Sequence, residues 1–327
     1  MWAEHAFKKL RTIAGLRVEM GALLKDYTRF GLGGPASVFA ETDDENAFMT
    51  ALQIARDSGA AYVVLGGGTN LVVSDLGYDG IVLRYIATAM RAEHTTVWVD
   101  AGAELNHLVD FLNNAGLSGL ETLAGIPGWV GAAVYGNAGA YGHSMQERAR
   151  QVRFFDGAGI RSLDNSGCEF RYRESIFKRN KDWIIFAIEL AMSTGDIAAL
   201  RKISADIRKV RDEKFPPTMK CAGSIFKNFL MKEIPQTVQR EVPEKVVREG
   251  KIPAAYFLEQ VGAKGLVDGG IHVADYHANL IYNEGTGTAV QLCRVIDDLK
   301  QRIATRYGMP LEEEVQYVGF GATRRAG

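Results

Sequence analysis

Two glycine-rich stretches constrain this chain more than any other feature of its sequence. The first, Gly66-Gly67-Gly68-Thr69-Asn70, lies between the apolar runs Tyr62–Leu65 and Leu71–Val73. Glycines let a backbone approach a phosphate closely, and successive amides in such a turn can bind an anion. The stretch lacks the helix that follows a Rossmann fingerprint and the Gly-Lys-Ser/Thr ending of a P-loop. A simple tight turn therefore stays open as an alternative.

The second stretch, residues 125–142, is dominated by glycine and alanine. It comprises Gly125-Ile126-Pro127-Gly128-Trp129-Val130-Gly131-Ala132 and, further on, Asn137-Ala138-Gly139-Ala140-Tyr141. Such a segment loses much conformational entropy when it is ordered and has few side chains to pack, as expected where backbone lies against a large planar ligand. The alternative is a small-residue packing interface between two sheets. Two such loops in one chain favour a dinucleotide-binding protein.

The spacing of apolar residues predicts an α+β protein. Thr42-Asp43-Asp44-Glu45 resembles a capping box with Thr42 as N-cap, and Gly59 is placed to end the helix that follows. Two later helices are predicted from apolar stripes, one carrying Leu200, Ile203, Ile207 and Val210 and the other carrying Cys293.

The length of 327 residues predicts more than one domain. We place one domain at residues 1–197, with subdomains of about 1–78 and 79–197, and a second at residues 198–327.

Composition excludes several functional classes. A formal net charge of −1 gives no global attraction for nucleic acid, and no stretch approaches the length of a membrane span or resembles a signal peptide. Three widely spaced cysteines fit neither a zinc site nor a disulfide framework. His272 and His277 lack the i, i+4 spacing of a helical ligand pair. We therefore expect a cytoplasmic monomer without a bound metal, nucleic-acid partner or membrane partner.

Seven motifs then occur in order along most of the chain. They are Tyr27-Thr28 with Gly33-Gly34-Pro35-Ala36, the loop Gly66–Asn70, Ile126-Pro127-Gly128, Asn137–Gly142, Arg171-Tyr172-Arg173-Glu174-Ser175-Ile176-Phe177, Ala222-Gly223-Ser224-Ile225-Phe226-Lys227-Asn228 and Leu311-Glu312-Glu313-Glu314-Val315. Together, over about residues 27–320, they resemble the UDP-N-acetylenolpyruvoylglucosamine reductase family. The short interval between Arg173 and Ser224 resembles its compact subtype.

This resemblance implies a fold, a reaction and a set of ligands. It implies an FAD-binding domain of the vanillyl-alcohol-oxidase type followed by an α+β substrate-binding domain. It also implies reduction of UDP-N-acetylglucosamine enolpyruvate to UDP-N-acetylmuramate in peptidoglycan precursor synthesis, with NADPH as the hydride source. The FAD is expected to be non-covalent because the first loop contains no histidine that could carry it.

The same resemblance assigns residues to three roles. The catalytic residues would be Arg173, Ser224 and Glu314. The substrate would be bound by Tyr172, Arg211, Lys214, Asn228 and Lys264. The cofactor would be bound by Gly66, Gly67, Gly68, Thr69, Asn70, Gly125, Ile126, Pro127, Gly128, Gly131, Ala132, Asn137, Gly139, Ala140 and Tyr141. The sequence departs from the family at Trp129, where a small or hydroxyl residue is common, and at Gly136 and Phe229.

The three catalytic assignments agree with what the reaction requires. Hydride delivery to the terminal carbon of an enolpyruvyl ether builds charge next to the carboxylate, so a fixed cation and a proton donor are needed. Arg173 could hold the carboxylate bidentately, Ser224 could donate the proton, and Glu314 could stabilise the intermediate or relay the proton.

Residue types alone leave each assignment open. Arg173 could be an ordinary surface arginine, Ser224 a turn serine, and Glu314 part of a solvated acidic cluster. Two rival functions also remain, namely a different FAD oxidoreductase of the same fold and a non-catalytic nucleotide-sugar or flavin-binding module.

Overall fold

A computed structural model describes residues 2–321 of the chain. The described residues form two compact units, and both are discontinuous in sequence. Unit 1 takes the described residues of Met1–Ala22, Ala36–Gly67 and Asp79–Glu213, and unit 2 takes those of Leu23–Pro35, Gly68–Tyr78 and Lys214–Gly327.

The helices and strands of residues 2–321 are as follows. The α-helices are α1 (Trp2–Leu10), α2 (Glu45–Asp57), α3 (Leu105–Asn114), α4 (Val130–Tyr135), α5 (Ile176–Arg179), α6 (Ile197–Lys214), α7 (Gln236–Glu241), α8 (Ala254–Gln260) and α9 (Ala289–Tyr307). The strands are β1 (Arg17–Met20), β2 (Ala36–Thr42), β3 (Tyr62–Val64), β4 (Leu71–Val73), β5 (Tyr78–Tyr85), β6 (Met90–Glu93), β7 (Thr96–Asp100), β8 (Leu117–Ser118), β9 (Gly139–Ala140), β10 (His143–Ser144), β11 (Ala149–Phe155), β12 (Ile160–Asp164), β13 (Ile184–Ala191), β14 (Ser193–Thr194), β15 (Lys220–Ser224), β16 (Phe229–Leu230), β17 (Lys251–Ile252), β18 (Val267–Asp268), β19 (Ile271–Val273), β20 (Leu280–Asn283) and β21 (Gln316–Val318). Short 3₁₀ turns lie at Leu24–Tyr27, Glu121–Leu123, Met145–Glu147, Met231–Glu233 and Glu244–Val246.

Unit 1 is built on two sheets. The first has strand order β1-β2-β5-β3, with β1 antiparallel to β2 and β3 parallel to β5. The second is antiparallel with order β12-β11-β13-β7-β6. Apolar side chains of α1 and α2 bury against the first sheet, where Phe48, Tyr85 and Phe186 meet edge to face. Those of α3 and α4 bury against the second sheet, so two hydrophobic cores position the loops of this unit.

Two predicted helices of unit 1 differ in detail from expectation. The N-cap of α2 is Asp44, which accepts the Ala47 amide at 2.7 Å, and not Thr42, which is the last residue of β2. An aspartate caps as well as a threonine, and Thr42 is committed to the sheet. On α6, Leu200 is buried as predicted, but Ile203 and Val210 are 41% and 54% exposed.

Unit 2 has its own sheet and core. Strands β15-β20-β19-β18 form an antiparallel sheet, with a bulge between Cys221 and Ser224 on β15. Helix α9 begins at Thr288 in a capping box and ends at Gly308, whose φ of 65° is the left-handed conformation that glycine commonly adopts at the end of a helix. Cys293 on this helix is buried, as its apolar stripe indicated.

Hydrogen bonds explain why unit 2 takes two segments from the N-terminal part of the chain. Strand β4 pairs in parallel with β21, with Leu71 opposite Gln316. Asn283 donates to the Phe30 carbonyl at 2.9 Å, and Asp75 accepts the Ala289 amide at 2.8 Å. The compact units therefore do not follow the linear boundary at 197/198, and they assign α6 almost wholly to unit 1. The division by function into residues 1–197 and 198–327 stays a prediction.

Candidate cofactor and active site

The first glycine loop leaves β3 and enters β4, so the apolar run after it is extended, as predicted. Within residues 2–321, the backbone amides of Gly66 and Gly67 donate to no protein acceptor. At Gly68, φ is +67° and a Cβ would overlap the Tyr27 carbonyl oxygen, so only glycine fits there. Amides without protein acceptors beside a glycine turn are what an anion-binding backbone requires.

The second loop is held in place by its own unit. Asn106 on α3 accepts the Gly125 amide at 2.7 Å and donates to the Ile126 carbonyl at 3.0 Å. The amides of Val130 and Gly131 donate to the carbonyls of Ala103 and Ala101. Because these amides already donate to protein acceptors, they are not available to a ligand. This part of the loop would contact a ligand mainly through van der Waals contacts with its backbone.

The two loops meet inside unit 1 at Trp129. A Cβ added to Gly67 would lie 2.9 Å from Cδ1 and 3.1 Å from Nε1 of the Trp129 indole. A Cβ on Gly66 would lie 3.8 Å from Ala132 Cβ and 3.9 Å from Trp129 Cε3, which is ordinary contact. The two predicted loops are thus in contact through the Trp129 indole and the Ala132 methyl group, which lie against the backbone of Gly66 and Gly67.

This arrangement fits a bound dinucleotide such as FAD. Gly125 and Gly128 have φ values of +76° and +114°, conformations that suit glycine and leave the backbone bare. Together with the amides of Gly66 and Gly67, they offer a backbone surface and hydrogen-bond donors, although Arg211 packs against Gly125 and the Trp129 indole against Gly67. Among residues 2–321, no cluster of histidine, cysteine, aspartate or glutamate could hold a metal ion.

Arg173 stands in a strained turn. The backbones of Arg171 and Glu174 bond to each other at 3.0 and 3.1 Å, and Arg173 between them has φ +56°. A non-glycine residue in this region costs on the order of 1–3 kcal/mol and persists only where the surroundings enforce it. The guanidinium donates to the Gly139 carbonyl at 3.0 Å and lies 5.3 Å from the Tyr172 ring centroid. Arg173 is therefore an anchored side chain beside the second loop and not a loose surface arginine.

Asn137 enforces this turn. Its buried side chain donates to the Arg171 carbonyl at 2.9 Å and to Gln146 at 3.0 Å, and accepts the Gln146 amide at 3.1 Å. Asn137 itself has φ +43°. The sequence predicted Asn137 as a cofactor ligand, but its side chain is occupied by protein partners. A cofactor contact by this residue would have to come from its backbone.

Other predicted cofactor residues lie just after Asn137 or at the end of the first loop. Gly139 and Ala140 form β9, which pairs with β10. Tyr141 has φ +53° and is 53% exposed. In unit 2, the Asn70 side-chain amide donates to the Glu314 carbonyl at 2.8 Å, and the Asn70 backbone carbonyl accepts the Gln316 amide at 2.9 Å.

Ser224 and Glu314 lie on adjacent segments of unit 2. The Glu314 amide donates to the carbonyl of Ile225, the residue after Ser224, at 2.8 Å. Their acidic neighbours are each neutralised, because Lys227 pairs with Glu312 at 3.0 Å and Lys300 pairs with Glu313 at 2.6 Å. Glu312 and Glu313 therefore each form an ion pair beside Glu314, although the Glu312 side chain stays 66% exposed.

The predicted substrate residues are divided between the units. In unit 1, Arg211 packs against Gly125, whose Cβ would lie 3.0 Å from the arginine Cδ. In unit 2, Asn228 accepts the Ala254 amide at 3.2 Å, Lys264 pairs with Glu259 at 3.0 Å, and Lys214 lies 5.1 Å from the Phe215 ring centroid.

His277 of unit 2 was considered in the sequence only as a possible metal ligand, and its buried environment was not predicted. Its ring lies 6.1 Å from that of Phe215, and its buried Nε2 has no hydrogen-bond partner within the described part of the chain. Burial, reinforced by Lys214 and Lys264, lowers its pKa to about 4. The only signal in the sequence was a histidine beside Tyr276, which is too common to single out.

Acid should destabilise the fold through His277. The folded-state pKa of about 4 lies below the ordinary 6.5, so the unfolded chain binds more protons between these values. The free energy of unfolding therefore carries no penalty from His277 above pH 6.5, and it decreases as the pH drops from 6.5 towards 4. At most about 3 kcal/mol of unfolding free energy is involved. Urea unfolding of wild type and His277→Gln across this range should show the wild-type advantage shrinking on acidification. Parallel profiles would contradict it.

Comparisons with known proteins agree with this geometry. Residues 36–162 match the profile described as "FAD binding domain", and residues 215–318 match "UDP-N-acetylenolpyruvoylglucosamine reductase, C-terminal domain". A UDP-N-acetylenolpyruvoylglucosamine reductase of Solibacter usitatus is 64% identical over 95% of this chain and all of its own length. One from Anoxybacillus flavithermus is 34% identical over 90% of this chain and 92% of its own.

A solved structure shows the same fold. The UDP-N-acetylenolpyruvylglucosamine reductase of Thermus caldophilus superposes with a TM-score of 0.73 at 29% identity, covering 93% of this chain and 99% of that one. The predicted order, an FAD-binding domain followed by a C-terminal domain of this family, is confirmed. No helix of residues 2–321 is both long and apolar enough to cross a membrane. The chain belongs to the UDP-N-acetylenolpyruvoylglucosamine reductase family.

Proposed function

We propose that this protein binds FAD non-covalently and uses NADPH to reduce UDP-N-acetylglucosamine enolpyruvate to UDP-N-acetylmuramate, a step of peptidoglycan precursor synthesis. Bound FAD would supply the hydride, and the protein would supply orientation, charge and the proton. The proposal rests on family membership at 64% identity and on the FAD-binding profile at residues 36–162. The C-terminal profile at residues 215–318 weighs against an unrelated oxidase of the same fold.

Arg173 would hold the carboxylate of the enolpyruvyl group. A guanidinium stays charged, grips a carboxylate with two hydrogen bonds, and stabilises negative charge that develops beside it. The strained backbone at φ +56° supports this role, since strain of this kind persists where a side chain must be aimed.

Ser224 would donate the proton to the carbon beside the carboxylate. The observation that carries this part of the proposal is the 2.8 Å hydrogen bond from the Glu314 amide to the Ile225 carbonyl, which ties the backbone after Ser224 to Glu314. A serine hydroxyl is a weak acid, so it needs a partner that relays or stabilises charge. Glu314 would be that partner. Arg211, Lys214, Asn228 and Lys264 would bind the diphosphate and sugar, and Tyr172 would also bind the substrate.

The proposed function is tested with the purified protein. A yellow preparation with a flavin absorption band should oxidise NADPH rapidly when UDP-N-acetylglucosamine enolpyruvate is present and slowly when it is absent. A protein that takes up no FAD, or whose NADPH oxidation ignores this substrate, would refute it. A non-catalytic flavin-binding module would give the yellow colour without the substrate dependence.

We also propose that the protein acts in the cytoplasm as a monomer. Cys168 and Cys221 are free thiols and all three cysteines are buried, which suits a reducing compartment. Cell fractionation and light scattering test the two statements.

Replacing Asn137 by alanine should impair the use of the enolpyruvyl substrate more than it impairs FAD binding. The variant loses the bond to the Arg171 carbonyl, which frees the turn that aims Arg173. We expect KM for the enolpyruvyl substrate to rise about tenfold, with the FAD dissociation constant within about threefold of wild type. Steady-state kinetics and FAD titration measure the two quantities. A weakened FAD affinity with unchanged KM would instead make Asn137 a cofactor ligand.

A further inference from the structure

The Trp129 indole is fixed on two sides within unit 1. The guanidinium of Arg84 lies 4.6 Å from the ring centroid, and Arg84 is itself held by Glu41 at 2.7 Å with both side chains largely buried. The indole also contacts Gly66 and Gly67. If a Cβ were added to Gly67, the three atoms nearest to it would all belong to Trp129.

Gly67 and Trp129 are therefore complementary. A Cβ on Gly67 would lie 2.9–3.2 Å from the five-membered ring of the indole, too close for the ring to stay where it is. The backbone of Gly67 does not have a positive φ, so the indole and not the backbone conformation forbids a side chain here. Conversely, the large residue at 129 fits only because residue 67 has no side chain.

We propose that Trp129 is a positioning residue for FAD. The Trp129 indole holds the Gly66-Gly67 backbone in its cofactor-binding conformation. This inference rests on the proposed role of the first loop in binding FAD. Amides held in place before a ligand arrives bind it more tightly, because less conformational entropy is lost on binding. Trp129 of the second loop thus supports the backbone of the first loop from the side.

The test is a double-mutant cycle on FAD affinity, with apo-protein titrated with FAD and followed by flavin fluorescence. Gly67→Ala should weaken FAD binding by roughly tenfold or more, since it overpacks the contact with Trp129. Trp129→Ala should weaken binding by about tenfold through loss of preorganisation. The double variant should bind FAD within about threefold of Trp129→Ala alone, because the added methyl group then occupies the space that the indole left.

Trp98 supplies the matched control. It also lies under an arginine, with Arg91 Cζ 4.3 Å from its ring centroid, and it belongs to β7 of the same unit. Trp98→Ala should leave the FAD dissociation constant unchanged. If Trp129→Ala does not fold, Trp129→Thr replaces it, because threonine suits the N-cap position that residue 129 occupies before α4.

The outcomes separate this inference from the proposed function. Wild type that binds no FAD refutes the function of the loop, whatever the variants do. Wild type that binds FAD, combined with an unchanged affinity of Gly67→Ala or with fully multiplicative effects in the double variant, overturns the positioning role of Trp129 alone. Rescue of Gly67→Ala by loss of the indole supports it, and a merely structural tryptophan would not produce that rescue.

Discussion

Ser224→Ala is expected to separate the two halves of the reaction. NADPH should still bleach the flavin absorbance at the wild-type rate, because the serine hydroxyl takes no part in that step. Recovery of the absorbance on adding the enolpyruvyl substrate should slow by roughly 10²–10⁴-fold, the usual contribution of a positioned proton donor. Stopped-flow absorbance under anaerobic conditions measures both rates in one preparation.

Ser224→Cys and Glu314→Gln sharpen this result. A thiol can still donate a proton, so Ser224→Cys should recover part of the lost rate. Glu314→Gln should slow the same step and leave the NADPH step intact, since the Glu314 amide bond to Ile225 is made by the backbone and survives the change. Equal slowing of both steps in Ser224→Ala would argue against proton donation and for a general disturbance of the site.

Arg173→Gly is expected to abolish productive substrate binding without weakening the fold. Truncating one partner of a charged, hydrogen-bonded pair costs about 2–5 kcal/mol, so kcat/KM for the enolpyruvyl substrate should fall roughly 10²–10³-fold or more. The melting temperature should stay close to that of wild type, because the strain that glycine relieves at φ +56° offsets the lost hydrogen bond from the guanidinium to the Gly139 carbonyl. Steady-state kinetics and thermal unfolding provide the two readings.

Two further variants control for charge and for position. Arg173→Lys keeps the charge but loses the planar fork, so kcat/KM should stay well below wild type. Arg171 is an exposed arginine of the same turn. Replacing it by alanine should have little effect on kcat/KM, because its hydrogen bonds with Glu174 are made by the backbone. A large loss in Arg171→Ala, or a strongly destabilised Arg173→Gly, would contradict the assignment.

Some helix ends were predicted correctly from the sequence, and the predictions that were wrong have physical causes. The glycine stops at Gly59 and Gly308 have φ values of +68° and +65°, as expected for residues that end helices. The N-cap of α2 was misplaced by two residues because Thr42 and Asp44 are both good caps, and only the length of β2 decides between them. On α6, the predicted stripe leaves Ile203 and Val210 exposed, because a periodic pattern does not say which part of a long helix the core covers.

The sequence supplied candidates for the site residues, and those assignments stay predictions, but it did not show the contacts that hold these residues in place. No local pattern indicates that Arg173 takes a left-handed conformation, which arginine disfavours, or that Asn137 imposes it through a bond 34 positions away. The discontinuous units likewise depend on pairing between β4 and β21, which are separated by most of the chain. The contact of Gly67 with Trp129 depends on the tertiary approach of the two loops.

The central claim is tested most directly by an anaerobic titration of the purified yellow protein. One equivalent of NADPH should bleach the flavin band, and one equivalent of UDP-N-acetylglucosamine enolpyruvate should then restore it. The recovered sugar nucleotide should be heavier by two hydrogens. A flavin that stays bleached until oxygen is admitted, with the enolpyruvyl compound recovered unchanged, would contradict the account.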